Sequence, residues 1–165
     1  MIANKLTSKE YFKSMLVIWL SLIGGQVFFG LIAFYLNNNG SYDPEGKELK
    51  DIFMYLVPVF AVYGVIAGSI IFKKKLNSSK SKTSLIEKLN DYRAALIIRY
   101  ALLEGATFFS LVSYLMTGDQ LFLYISILII AIFIILKPSA EKVINDLELN
   151  PNERQTISDP NAQIT

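Results

Sequence analysis

Arg99 and Glu104 are the two residues whose chemistry is out of keeping with their surroundings. Both lie in "AALIIRYALLEGATFFSLVSYLM", residues 94–116, where every other side chain is uncharged. A carboxyl group in apolar surroundings raises its pKa and takes a proton, pairs with a cation, or is tied by hydrogen-bond donors. The first two outcomes make a proton- or cation-responsive site, and the third makes a static link between helices. Arg99 and Glu104 are five positions apart, about 140 degrees around a helix. They therefore do not form a same-face ion pair, which needs a spacing of three or four. Donors that could serve Glu104 are Gln26, Tyr55, Tyr63, Tyr100 and Thr107. Arg99 lies about 9 Å inside the run at ~1.5 Å per residue. A side chain that long reaches back to a polar surface, so Arg99 reads as a membrane anchor.

Other chemistry is scarce. The chain has no cysteine and no histidine, which removes thiolate and imidazole ligands, disulfides and a histidine base. There is no phosphate-loop or zinc-protease motif and no paired-acid constellation within an apolar run. The sequence predicts neither an enzyme nor a bound metal or cofactor. Asp43, Glu45, Glu48 and Asp51 make an acidic loop, but Lys47 and Lys50 are interleaved and solvation is the expected state. No dense basic face with stacking aromatics is present, so nucleic acid is not an expected partner.

The elements that carry these residues follow from where charges are missing. Only 18% of residues are charged and 53% are apolar, against about 25% charged in a soluble domain. No charge falls between Lys13 and Asp43, between Asp51 and Lys73, or between Asp119 and Lys137. A spanning helix needs roughly 20 apolar residues. Helices are predicted at 14–36, 52–72, 94–116 and 120–136, the last at the short end of that range. The expected fold class is all-α: a polytopic membrane protein with four transmembrane helices as two tandem hairpins. The first run is longer than a signal-peptide core and is followed by a second span, so it is expected to stay in the protein. Lysines 5, 9 and 13, and the cluster from Lys73 to Arg93, put both termini and the middle loop in the cytoplasm of an inner (plasma) membrane. That cluster reads first as a topology anchor and second as a contact with anionic membrane lipids.

The chain also repeats. Shifted by 80 residues, 14–36 falls on 94–116 with seven of 23 positions identical, and Gly24 falls on Glu104. The following helices end alike, in "IIFKKK" and "IILKPS". Helices 1 and 3 then run in the same direction. Gly64 and Gly68 have the small-xxx-small spacing that lets helices approach closely, and Gly24, Gly25 and Gly105 are further packing candidates. Pro58 is expected to kink helix 2. Tyr35, Tyr42, Tyr55, Tyr92, Tyr100 and Tyr114 fit an interfacial aromatic belt. Residues 82–91 and 139–149 read as short amphipathic segments, the second capped by Ser139 and stopped at Asn150-Pro151. Residues 150–165 are polar without a periodic face and are expected to be a flexible tail.

The stretch "ALLEGATFFSLVSYLM", 101–116, resembles the acid-bearing helix of rotary ATPase proteolipid (c-type) subunits. Two tandem hairpins are also similar to the duplicated, four-helix members of that family. The resemblance implies a ring of hairpins with Glu104 as ion carrier. Here the acid stands in the third helix rather than the second or fourth, and helix 1 lacks the family's alternating glycine series. The function predicted from the whole sequence is a small integral membrane protein, structural or partner-binding within a membrane assembly, as a homo-oligomer or with another membrane protein. The alternative is a proton- or cation-coupled transport subunit using Glu104.

Overall fold

The computed structural model describes residues 6–39 and 49–164, so the acids Asp43, Glu45 and Glu48, with Lys5, Tyr42 and Lys47, lie outside the described residues. The described chain is all-helical: α1 (Ser8–Asn38), α2 (Lys50–Lys80), α3 (Leu85–Thr117), α4 (Gln120–Ile135), α5 (Ala140–Asp146) and α6 (Pro151–Ser158). Three of these, α1, α2 and α3, are long and apolar enough to cross a membrane, and the count is four if α4 and α5, bent by 82°, form one span.

The long helices extend past the predicted spans. Charges mark where an apolar run ends, not where a helix must end, because lysine and glutamate are good helix formers. α1 starts early on a capping box in which Thr7 and Glu10 each accept from the other's backbone N–H. The predicted amphipathic segment 82–91 is not separate: from Leu85 onward it is the first part of α3. α2 continues through Pro58. α3 ends at Gly118, whose φ of 68° supplies the left-handed cap that glycine adopts without steric cost. Asp119 then caps α4 through Leu121 N–H.

α3 is the central element. It packs antiparallel to α2, with Gly64 against Leu102 and Ala106 and Gly68 against Arg99. It packs antiparallel to α4, where Tyr100 stacks on Phe133 and Ser110 donates to the Phe122 carbonyl. Its contacts with α1 join residues 77 to 81 positions apart: Tyr11–Leu89, Phe29–Phe108, Gly30–Leu111 and Asn37–Tyr114. A constant separation along both helices means that α1 and α3 run parallel and level with one another.

The outer faces of α1, α2 and α4 remain apolar and uncovered, with Phe28 67%, Val59 63% and Ile135 72% exposed. Soluble monomers rarely present so much contiguous apolar surface. Of the tyrosines expected in an aromatic belt, Tyr35 and Tyr55 are exposed, but Tyr92, Tyr100 and Tyr114 are buried. Their hydroxyls or rings are used inside: Tyr100 donates to the Leu136 carbonyl and Tyr92 to Asp146.

At the polar end of the bundle the main core continues beyond the long helices. Ser139 caps α5 at Lys142 N–H, as its sequence position suggests. The segment expected to be a flexible tail is instead folded onto the bundle. Asn150 and Glu153 form a capping box, Pro151 occupies the first turn of α6, and the strand-like end runs back along the start of α1. There Ile164 N–H donates to Leu6, Ser8 N–H to Ala162 and Lys9 N–H to Pro160. Polarity alone concealed this, because the tail's two large apolar residues, Ile157 and Ile164, are 2% and 4% exposed. They join Tyr11, Leu89, Val143, Leu147 and Leu149 in one cluster. Burying each aliphatic side chain is worth about 1.5–3 kcal/mol where water is the alternative. Lys88 and Glu153 add an ion pair of 2.8 Å, with both side chains 11% exposed.

Candidate functional site

Glu104 lies at the middle of α3. Residues 104, 108 and 111 recur at helical spacing, and Phe108 and Leu111 face α1 through Phe29 and Gly30. Glu104 therefore lies on the stripe turned toward α1. The level, parallel contacts bring Gly24 and Gly25 to the same height. A Cβ added at either glycine would meet nothing within 4 Å. Gly24 and Gly25 are exposed, and Glu104 is half-buried at their level.

The donors expected to serve this carboxyl do not reach it. Gln26 is fully buried, its Nε2 donates to Leu22 on its own helix, and its Oε1 has no partner. Thr107 donates to Leu103 one turn back, and Tyr100 donates to Leu136. Tyr55 and Tyr63 are 77% and 63% exposed and point away from the bundle. Among the described residues Glu104 makes no hydrogen bond and no ion pair. Among the described residues there is thus no intramolecular tie to Glu104, and the expected donor set does not converge on it.

The glycines divide. Gly64 is a close-packing position: a Cβ there would sit 2.9 Å from the Leu102 carbonyl oxygen and 3.1 Å from Ala106 Cβ. Gly68 is similar, at 3.3 Å from Arg99 Cγ. Gly24, Gly25 and Gly105 have open space instead, so they are not packing contacts within the chain.

Arg99 points to the α2 side, away from Glu104. Its guanidinium lies over the Phe72 ring at 5.1 Å and Nη2 donates to Ser69 Oγ at 3.3 Å. It is more than a surface anchor, because it lines a cavity of about 470 Å³ at the junction of α2, α3 and the α4–α5 turn. Lys73, Lys137 and Lys142 share that wall, with Asp146 as the one acid. The sequence places Lys73 at the start of the middle loop and Lys142 in the amphipathic segment 139–149. Only the 82° bend after α4 brings them together.

At the opposite end Lys50 pairs with Asp119 at 2.8 Å. The Lys50 ammonium and then the Leu121 N–H hold the Asp119 carboxyl below its ordinary range. No group of three or more metal-ligating side chains occurs among the described residues. No family model matches this chain, and neither a curated protein nor a solved structure does.

Proposed function

We propose that this protein is an integral membrane subunit whose four apolar helices cross the bilayer as two hairpins, and that it binds a partner helix along the face that carries Glu104. The single observation that carries this reading is the half-buried Glu104 carboxyl, which has no hydrogen-bond or ion-pair partner among the described residues, at the level of the exposed Gly24 and Gly25 of α1. A lone carboxyl in hydrocarbon costs several kcal/mol unless something satisfies it. A donor or cation on a neighbouring helix does so, and bare glycine permits the close approach that membrane helices use. The parallel, level packing of α1 on α3 supports a tandem repeat about an axis along the membrane normal. The basic end of the bundle, with Lys73 to Lys82 and both described ends of the chain, is assigned to the cytoplasmic side of the plasma membrane.

A photo-crosslinking residue at position 25, exposed at the level of Glu104, tests this face in intact membranes. Adducts with protein are expected there, against lipid adducts alone from position 62, whose side chain faces outward on α2. Lipid adducts alone from position 25 would sink the proposal. The proton- or cation-coupled reading, which the resemblance to proteolipid subunits also implies, draws on the same unpartnered carboxyl. It requires E104Q to lose coupled transport in liposomes while its assembly persists, and Glu104 to react with a hydrophobic carbodiimide in a pH-dependent way.

A further inference from the structure

The Arg99 cavity is built like an anion site. Its four cations, Lys73, Arg99, Lys137 and Lys142, face one carboxylate. None of the four is in an ion pair among the described residues. Asp146 is the charge that opposes an anion, and it accepts the Tyr92 hydroxyl at 3.0 Å. Two cations are held in place by the chain. Lys142 Nζ donates to the Ile135 carbonyl at 2.7 Å and to Lys137 at 3.0 Å, which leaves one N–H free. The guanidinium of Arg99, stacked on Phe72, gives one contact to Ser69 Oγ and keeps its remaining donors. The Ser69 hydroxyl, already an acceptor, retains its own O–H. The rest of the wall is apolar, with Leu76, Leu96 and Leu136, which strengthens charge-assisted bonds to a guest.

The position matters as much as the charge. The cavity lies where the apolar run of α2 gives way to Lys73 and that of α4 to Lys137. In the membrane-spanning reading proposed above, on which this inference rests, that is the level of phosphate groups at a bilayer surface. We propose that this cavity binds a phosphate group, with the Arg99 fork and the Lys142 ammonium as principal donors. Fork-shaped donors match phosphate oxygens, and the remaining lysines complete the neutralisation. A glycerophospholipid headgroup and a soluble phosphate share this chemistry.

The test uses the full chain purified in a mild uncharged detergent, with retained ligand read by native mass spectrometry. One arm adds phosphatidylglycerol and the other adds inorganic phosphate. Retention of the first alone assigns a lipid, and retention of the second assigns a soluble phosphate. R99Q and K137Q are each expected to weaken retention about tenfold or more, a loss of ~1.4 kcal/mol per tenfold step. K137Q is the safeguard against misfolding, since the Lys137 side chain makes no bond within the chain among the described residues. Lys74→Gln, exposed and outside the cavity, should bind as the unmodified chain does. Absence of retention in both arms overturns the proposal. So does a K137Q or R99Q chain that binds normally, or a Lys74→Gln chain that loses as much as they do.

Discussion

Replacing Gly64 by alanine isolates the force that holds α2 on α3. The added Cβ would sit 2.9 Å from the Leu102 carbonyl oxygen and 3.1 Å from Ala106 Cβ. Ordinary contact begins near 3.4 Å, so α2 must retreat by about half an ångström. A backbone carbonyl in the middle of a helix cannot step aside alone. Overpacking of this kind costs about 1–3 kcal/mol. Alanine also gains about 1 kcal/mol over glycine in a helix interior. The net loss for G64A is therefore about 0–2 kcal/mol. G25A has the same propensity gain and no clash, because nothing lies within 4 Å of its added Cβ. The difference between the two variants cancels propensity and leaves the steric cost, about 1–3 kcal/mol. Gly68→Ala should fall between them, since the atom it meets first, Arg99 Cγ at 3.3 Å, belongs to a flexible side chain. Reversible unfolding in mixed micelles, followed through Trp19, measures this directly. Trp19 is the only tryptophan, is 7% exposed and donates to the Phe133 carbonyl at 3.1 Å. Equal stability of G64A and G25A would refute the close-packing argument.

Other expectations concern the polar end. Ile157→Ala should cost about 2–5 kcal/mol by opening the cluster that seats α6, seen as faster hydrogen exchange at the Ile164 N–H that bonds Leu6. Normal protection there would mean that the tail does not dock. Glu153→Ala leaves Lys88 without its partner and should cost about 1–3 kcal/mol, less than a fully buried pair because each side chain keeps some exposure. The same contact gives a pH dependence. Burial pushes the Glu153 carboxyl upward, but the Lys88 hydrogen bond, the Asn150 N–H and the Lys88 charge together bring it below its ordinary value. A depressed folded-state pKa contributes stability above the unfolded value of about 4.3 and loses it as pH falls through the folded value. Docking of α6 should therefore weaken only in acid below about pH 4, and E153Q should flatten that dependence. An α6 that loosens equally in both chains would contradict the assignment.

How far the sequence could carry the fold depends on what it was asked. The charge-poor runs located the four longest helices, three of them long enough on their own to cross a membrane, because apolar stretches of that length have few alternatives. They could not locate the helix ends, since residues 73–80 and 85–93 are charged yet helical. Gly64 and Gly68 were legible as close contacts, but glycine identity does not say which face a partner occupies, so Gly24, Gly25 and Gly105 read the same way. Tail docking depends on Ile157 and Ile164 reaching distant residues, and two isoleucines have no periodicity to read. For the site, the depth of Glu104 was legible and its partners were not. Thr107 satisfies its hydroxyl one turn back on its own helix, a local solution always open to threonine. The cationic cavity depends on the bend after α4, which Pro138 marks without giving its angle.

The central claim is that Glu104 is satisfied from outside the chain. The direct measurement is the mass of the assembly extracted from its membrane in lipid-retaining detergent, compared between the unmodified protein and E104A. The unmodified protein should carry additional protein mass, as further copies or a partner. E104A should emerge as a single folded chain, since the Glu104 carboxyl makes no hydrogen bond or ion pair among the described residues. A single chain in both cases, or the same added mass in both, would contradict it.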